Sequence, residues 1–267
     1  MKHTRAEAEK AVRAAGKLFL SAVDERQIIE KGFANFVTEV DYRVQDFLIR
    51  ELDRIIPGCN IVTEEKADNL YAFHKPTWIL DPVDGTTNLM FGYNHSCISL
   101  ALLEGGNPVM GIVYNPVSGE LFSATAGQGA FLNEIPIAVS RRDALEKSLI
   151  GFGTTPYDKG SAERTFSIVL QTYRRCLDVR RTGSAALDLA YVACAMLDGF
   201  FELRLQPWDY AAGMVLIAEA GGRVTDWKGE QPSLAKPSGI VATNGLIQDD
   251  LLEMVNLQKQ GTHSALE

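Results

Sequence analysis

The sequence has no hydrophobic run that approaches the roughly 20 apolar residues needed to span a bilayer. Its N-terminal segment carries Glu7 and Glu9 inside its apolar pattern, and no cleavable apolar stretch follows the basic residues there. These absences predict a protein without a membrane segment and without a secretory signal peptide.

Cysteine is also scarce, and the four that occur are widely separated: Cys59, Cys97, Cys176 and Cys194. None forms the Cys-x-x-Cys pair that is typical of structural zinc sites or redox motifs. The spacing therefore predicts reduced, mostly buried thiols in a cytoplasmic protein.

Long basic tracts are absent, and the formal net charge is −8. The basic residues cluster only as arginine pairs, at 141–142, 174–175 and 180–181. Binding to nucleic acid or to an anionic membrane needs larger clusters of Lys and Arg, so neither partner is expected. A protein this acidic needs bound cations if it is to handle an anionic substrate.

The periodicity of the apolar residues predicts an α/β (α+β) fold in one unit of 267 residues. The half 1–143 has two helical patterns, at 4–23 and 38–56, and short strands that predict an antiparallel sheet: 60–63, 77–80, 97–103, 109–114 and 120–124. The half 144–267 alternates strands with helices, which predicts an α/β layer. No Pro-, Gly- or Ser-rich linker separates the halves, so they are expected to pack together.

The most informative segment runs from Trp78 to Asn88, where a buried strand ends in a carboxylate. Asp84 follows Asp81 by three residues, so both side chains can face one point at the strand end. Gly85 permits an unusual backbone conformation, and Thr86 begins a run of hydroxyls and N–H groups that could cradle phosphate. Two carboxylates beside an anion cradle suit magnesium-assisted phosphoryl chemistry. The alternative is a plain Asp-Gly turn capped by Asp81.

The whole segment 81–88 resembles the signature of the inositol monophosphatase family. Further pieces resemble that family in the same order along the chain: Lys31-Gly32, Phe36 to Asp41, Ile61 to Glu65, Arg180 to Ala190, Asp198 to Glu202, Pro207 to Gly213 and Glu219 to Gly222. Each short piece is weak evidence, whereas their common order and spacing are specific.

This resemblance implies a layered αβαβα sandwich and a magnesium-dependent phosphomonoesterase. The implied reaction releases inorganic phosphate from myo-inositol 1-phosphate by direct attack of a metal-activated water, without a phosphoenzyme. The family also implies two or three Mg²⁺ ions, a homodimer, sensitivity to lithium and a small phosphate ester as the substrate.

The resemblance also implies a role for each matching residue. One ion would be held by Glu64, Asp81 and the Val83 carbonyl, and a second by Asp81, Asp84 and Asp209. Catalytic roles would fall to Glu64, Thr86 and Asp41, with Thr86 and Asp41 orienting the water. The N–H groups of Gly85 and Thr86 would bind the phosphate. The full set of substrate-binding residues would be Asp84, Gly85, Thr86, Gly183, Ser184, Ala185, Glu202 and Asp209.

Each role has a simpler structural alternative. Asp41 and Asp209 could be acids in the first turn of a helix, Ser184 could be a helix N-cap, and Glu202 could pair with Arg204. Lys31 could be an ordinary surface lysine.

Two alternatives to inositol phosphatase activity follow from the sequence. The same metal site could serve fructose 1,6-bisphosphate or another sugar or nucleotide phosphate. The run Thr86-Thr87-Asn88 lacks the Thr-Lys of nucleotide bisphosphatase and histidinol-phosphatase relatives, which favours inositol phosphate. Lys66 stands where the family has Ser or Thr, in a segment, 66–76, expected to be a mobile flap. The second alternative is a regulatory protein that binds transcription or RNA machinery, for which the pair at 180–181 is the one supporting feature.

Overall fold

The computed structural model describes residues 2–21, 28–32 and 35–257. The helices are α1 Lys2–Ser21, α2 Glu39–Ile55, α3 Thr86–Met90, α4 Ala162–Tyr173, α5 Ala185–Ala193, α6 Pro207–Glu219 and α7 Gln248–Asn256. The strands are β1 Ile28–Gly32, β2 Asn35–Thr38, β3 Asn60–Thr63, β4 Thr77–Asp84, β5 Cys97–Glu104, β6 Asn107–Asn115, β7 Glu120–Thr125, β8 Ala130–Leu132, β9 Ile135–Ile137, β10 Leu149–Phe152, β11 Asp178–Arg180, β12 Gly199–Leu205, β13 Arg223–Thr225 and β14 Ser238–Thr243. Among these described segments, no helix is long and apolar enough to cross a membrane.

The larger sheet has seven strands in the sequential order β3-β4-β5-β6-β7-β8-β9. Its strands pair antiparallel except at one edge, where β3 and β4 are parallel. The predicted antiparallel sheet is therefore wrong at this edge. Thr63 pairs with Leu80, so Glu64 and Asp81 follow at the same end of the two strands. The parallel edge is what places these two carboxylates side by side.

The smaller sheet has five strands in the order β11-β10-β12-β14-β13. Strand β10 is parallel to both of its neighbours, whereas β14 is antiparallel to both of its own. The chain passes from the first sheet to the second between Ile137 and Leu149, and the division into halves at 143–144 stays a prediction. That the two halves form a single folding unit stays a prediction.

The helices form three layers around the two sheets. Helices α1 and α2 pack on one face of the seven-stranded sheet, and α5 and α6 fill the space between the sheets. Helices α4 and α7 cover the outer face of the five-stranded sheet. Each layer buries an apolar face against its neighbour, which is the αβαβα sandwich that the sequence predicts.

Some local predictions differ from the structure. The hairpin β1–β2 and the short helix α3 were not predicted, because short elements carry little periodic signal. The end of the first predicted helix, at Val23, lies outside the described residues. All four cysteines are free thiols, as expected, but Cys97 alone is fully buried and the other three are half-buried.

A buried carboxylate fastens the segment that joins the two sheets. Asp198 is fully buried and accepts hydrogen bonds from Ser140 Oγ, from Arg142 Nε at 2.7 Å and from the Leu149 N–H at 2.7 Å. Its own carbonyl accepts from the Asn244 N–H at 3.0 Å. One residue therefore holds both the start of β10, through its side chain, and the end of β14, through its carbonyl.

Asp198→Ala is expected to lower the free energy of unfolding by about 3 kcal/mol, because it leaves several buried donors without an acceptor. Urea denaturation measures this loss. Asp143→Ala removes an exposed carboxylate nearby and should cost less than about 0.5 kcal/mol. Equal stabilities of the two variants would contradict the structural role of Asp198.

Candidate active site

One pocket between the two sheets gathers nearly all the residues that the sequence predicts for the site. Its lining includes Glu64, Asp81, Val83, Asp84, Gly85, Thr86, Gly183, Ser184, Ala185, Glu202 and Asp209. Asp41 does not line the pocket but contacts Thr86, which does. Residues separated by well over a hundred positions in sequence thus share one cavity.

The end of β4 delivers the first carboxylates. Asp81 is almost fully buried, and its Oδ1 accepts from the Val83 N–H at 2.9 Å. The register of β4 with β5 shifts between Asp81 and Asp84. The shift departs from the regular alternation of side chains along a strand, and both carboxylates line the pocket.

Asp84 links this strand end to the N-terminus of α5. Its Oδ2 accepts from Ser184 Oγ at 2.6 Å and from the Ala186 N–H at 2.7 Å. Ser184 is the N-cap of α5, as one of the alternatives predicted, and it also lines the pocket. A carboxylate is stabilised at this position because unpaired N–H groups and the helix dipole both favour negative charge.

Asp209 enters the pocket from the first turn of α6. Its Oδ2 accepts from the Gln206 N–H at 2.7 Å, so it is a helix N-terminal acid as well as a pocket residue. Helix α6 lies very close to the larger sheet: a Cβ added at Gly111 would lie 2.3 Å from the Ala212 carbonyl. Ser99 Oγ also donates to the Trp208 carbonyl at 3.0 Å. These contacts set the distance of Asp209 from β4.

The carboxylates raise one another's pKa. Burial raises the pKa of Asp81 well above its ordinary value, and Glu64, Asp84 and Asp209 raise it further. Burial is also the main cause of the raised pKa of Asp209, with Asp84 and Glu64 adding to it. For Asp84 the effect of burial is opposed by the hydrogen bonds from Ser184 and Ala186.

This donor set fits hard divalent cations. Several carboxylate oxygens and a backbone carbonyl are the ligands that Mg²⁺ prefers, and cations would offset the repulsion that raises these pKa values. In the described part of the chain, no three acidic, His or Cys side chains already surround one point as a metal site. The carboxylates line a common pocket.

Thr86 contacts residues of two different elements at the site. Its Oγ1 lies 3.2 Å from Asp41 Oδ1 and 3.0 Å from the Val83 carbonyl, and it can donate to either. Asp41 is buried in the first turn of α2. The contact between Thr86 and Asp41 joins α2 to the β4–α3 turn, and their predicted role in orienting a water stays a prediction.

Two glycines form the floor beside the carboxylates. Gly85 has φ +87°, and an added Cβ would lie 3.0 Å from the His95 carbonyl and 3.3 Å from that of Gly183. Asn88 Nδ2 donates to the Thr182 carbonyl at 2.9 Å and so holds the second loop against the first. The close packing requires glycine at position 85 and leaves the backbone accessible from the pocket.

Glu202 also lines the pocket and belongs to β12. Its Oε1 accepts from the N–H of Thr155 at 2.8 Å and from its hydroxyl at 3.1 Å, rather than pairing with Arg204. A Cβ at Gly153 would lie only 1.8 Å from Glu202 Oε2, so glycine there is required for this carboxylate to fit. Burial raises the pKa of Glu202 to about 7.

The sequence did not single out several residues of this wall. Thr154 and Tyr157 line the pocket from the loop after β10, and Arg181 lines it from the loop before α5. Asp188 is buried there and accepts from the Thr182 hydroxyl at 2.7 Å. The glycines at 151 and 153, beside a predicted strand, were the one local sign of a close approach.

The sequence offers two lysines, Lys31 and Lys66, as candidates for the site. Lys31 lies in β1, and its side chain is outside the described part of the structure. Lys66 does not line the pocket, and its carbonyl accepts from Asn69 Nδ2 at 3.0 Å. Asn69 also bonds both the N–H and the carbonyl of Thr63, so it anchors the start of the segment 66–76. That this segment acts as a flap stays a prediction.

The fold and the acidic pocket are those of a family of phosphatases. The inositol monophosphatase family model matches residues 1–260, and the chain belongs to that family. A Xylella fastidiosa protein named Nus factor SuhB is 39% identical over 223 residues, covering 82% of this chain and 80% of the relative. A Mesorhizobium japonicum protein named inositol-1-monophosphatase is 39% identical over 233 residues, covering 87% of each chain. The Thermotoga maritima IMPase structure superimposes with a TM-score of 0.88 at 32% identity, covering 98% of this chain and 99% of that one.

Glu202→Gln is expected to remove part of the pH dependence of stability. The pKa of Glu202 rises from 4.5 to about 7 on folding, so the folded protein keeps a proton that the unfolded chain loses. The free energy of unfolding therefore falls as the pH rises between those values, by about 3 kcal/mol from this group.

Urea unfolding of the metal-free protein at both ends of this pH range tests the expectation. Gln keeps an oxygen that can accept from Thr155, so the variant should fold with a smaller change in stability between the two pH values. Glu104→Gln, at an exposed position, is the control and should leave the change as in the wild type. An unaltered pH dependence in Glu202→Gln would contradict the raised pKa.

Proposed function

We propose that this protein is a magnesium-dependent phosphomonoesterase that releases inorganic phosphate from myo-inositol 1-phosphate. The observation that carries the proposal is the set of carboxylates facing one pocket, next to the glycine-containing turn 84–86. Membership of the inositol monophosphatase family supports it, as does the name of the Mesorhizobium japonicum relative. The polar wall around Glu202 suits an alcohol that carries several hydroxyl groups.

Glu64, Asp81 and the Val83 carbonyl would hold one Mg²⁺, and Asp81, Asp84 and Asp209 a second. Glu64 could also share a third ion. When bound, the ions supply positive charge to the phosphoryl oxygens and lower the pKa of a coordinated water. The chain itself has one Lys or Arg among the described residues that line this pocket, which is Arg181. Charge neutralisation therefore has to come largely from the cations.

Thr86 and Asp41 would orient the attacking water. When the Thr86 hydroxyl donates to Asp41 Oδ1, its lone pairs are left to accept a hydrogen bond from a water in the pocket. The water oxygen then forms a bond to phosphorus as the bond to the ester oxygen breaks on the opposite side. The ester oxygen takes up a proton and leaves as the alcohol, so no residue becomes phosphorylated.

The backbone around Gly85 and Thr86 would bind the phosphate, and the wall around Glu202 would bind the alcohol. Gly183, Ser184 and Ala185 also line the pocket, and the Gly183 carbonyl lies next to Gly85. Glu202 is held by Thr155 in a fixed position from which it can accept hydrogen bonds from hydroxyl groups. This division of the pocket leaves the reacting phosphate next to the carboxylates.

Asp84→Asn is expected to lower kcat for phosphate release from myo-inositol 1-phosphate in Mg²⁺ by at least about a thousandfold. The amide oxygen can still accept from the Ala186 N–H, and one negative charge leaves the cluster. The variant should therefore fold, and its thermal midpoint in EDTA should equal or exceed that of the wild type.

Phosphate release with and without Mg²⁺, and with added lithium, provides the measurement, and circular dichroism checks the fold. Asp143→Asn is the matched control, because it removes an exposed carboxylate away from the pocket and should keep full activity. Turnover by folded Asp84→Asn at the wild-type rate would sink the proposal. Lithium should inhibit the wild type.

Stability should also report metal binding without turnover. Burial raises the pKa values of Asp81, Asp84 and Asp209, and acidic neighbours raise those of Asp81 and Asp209 further. The metal-free fold is therefore expected to lose stability as the pH rises through the ordinary range of a carboxyl group. Mg²⁺ binds the ionised carboxylates, so it should raise the thermal midpoint more at mildly alkaline pH than at acidic pH. An equal Mg²⁺ effect at both pH values, or no effect, would contradict this assignment of ligands.

The name Nus factor SuhB, carried by the Xylella fastidiosa relative, supports a second role as a Nus factor. The two roles are compatible, because a surface outside the pocket could serve the second. Asp84→Asn separates them: it should abolish phosphate release and leave partner binding unchanged. The family also supports a cytoplasmic homodimer, which light scattering of the purified protein would test.

A further inference from the structure

Arg181 is the one Lys or Arg among the described residues that line the pocket, and the mechanism does not use it. It precedes the loop 182–184 and is exposed at the pocket wall. Its neighbour Arg180 points elsewhere, since its guanidinium pairs with Asp178 and does not line the pocket. Of these two adjacent arginines, only Arg181 therefore lies where it can contact a substrate in the pocket.

The guanidinium of Arg181 is held in place by the loops around it. Its Nη2 donates to Thr154 Oγ1 at 3.1 Å. Its Nη1 lies against Gly183, where an added Cβ would be 2.7 Å away. A guanidinium has five N–H donors, so this arrangement leaves donors to bind a ligand from the pocket. Such a fork is suited to the paired oxygens of a phosphate or carboxylate.

Gly183 lies between this guanidinium and the phosphate cradle. A Cβ at Gly85 would be 3.3 Å from the Gly183 carbonyl, so Gly183 contacts the cradle on one side and Arg181 on the other. An ester whose reacting phosphate lies at Gly85 can therefore place its alcohol part next to Gly183. A substituent on that alcohol then lies within reach of Arg181.

Two buried acids, Glu202 and Asp188, lie near Arg181. Burial raises the pKa of both, while Arg181 lowers each of them as a smaller effect. The guanidinium is therefore close enough to both carboxyl groups to interact with them across this part of the pocket.

We infer that Arg181 binds a second anionic group on the alcohol part of the substrate, so that the pocket favours phosphate esters carrying such a group. The inference rests on the proposed phosphate-ester hydrolysis, because it takes the reacting phosphate to lie at Gly85 and Thr86. It extends the proposed substrates beyond myo-inositol 1-phosphate, which has no second anionic group, to esters that carry one. It assigns Arg181 a role in specificity and leaves the attacking water to Thr86 and Asp41.

The test uses two esters that differ by one phosphate, glucose 1-phosphate and glucose 1,6-bisphosphate, with the full chain in Mg²⁺. Arg181→Gln should lower kcat/KM for the bisphosphate by about tenfold to a hundredfold, mainly through KM, as expected for loss of a charge-assisted hydrogen bond. For the monophosphate the change should stay within about threefold. Arg181→Lys keeps the charge without the fork and should restore part of the loss.

Arg180→Gln is the matched control, since it makes the same charge change one residue away and should affect neither ester. Equal losses on both esters in Arg181→Gln would show that Arg181 merely supports the loop, and would overturn the inference. So would a wild-type preference for the bisphosphate that survives Arg181→Gln, or no such preference in the wild type.

A binding measurement separates this inference from the proposed function. With inorganic phosphate saturating the cradle in Mg²⁺, calorimetry compares binding of glucose 6-phosphate and of glucose. The wild type should bind the sugar phosphate at least about tenfold more tightly than glucose, and Arg181→Gln should abolish that difference. Absence of turnover on every ester would refute the proposed function, and this binding result would still decide the role of Arg181. Equal binding by wild type and Arg181→Gln would overturn it.

Discussion

The pair of hydrogen bonds between Asp84 and the start of α5 is the contact on which the site depends. It joins the end of β4, in the larger sheet, to a helix that lies between the two sheets, through Ser184 Oγ and the Ala186 N–H. The same pair fixes the loop that carries Gly183 beside the turn at Gly85. One carboxylate therefore links two layers of the fold at the pocket.

This arrangement brings several carboxylates close together in one buried pocket, although like charges repel one another. Asp81 and Asp209 have raised pKa values through burial and through their acidic neighbours, so the site is poorly stabilised without cations. The surrounding structure sustains it with rigid supports, such as the buried Asp198 network and the close approach of α6 to Gly111. Packing between the layers stabilises the fold, whereas repulsion between like charges in the pocket destabilises it.

The regular elements were predictable because their apolar residues repeat with the period of a helix or a strand. The strand at 60–63 and the hairpin of β5 and β6 appear close to where the periodicity places them. The parallel pairing of β3 with β4 was not predictable, since a strand pattern is the same for either direction of its neighbour. Arg181 lies in a segment that resembles the family, but its contact with Thr154 was not predictable, because packing brings the two residues together.

The sequence by itself determined the family, the residues of the acidic motif and the class of chemistry they suit. These follow from the order of residues along the chain, because the motif that contains Asp81, Asp84 and Gly85 can be recognised without knowledge of its distant contacts. Only the tertiary structure decided that Glu64 lies beside Asp81, that Asp84 is bound by α5, and that Arg181 rather than Arg180 lines the pocket. Strand direction and loop packing set these positions, because they are properties of how the layers meet.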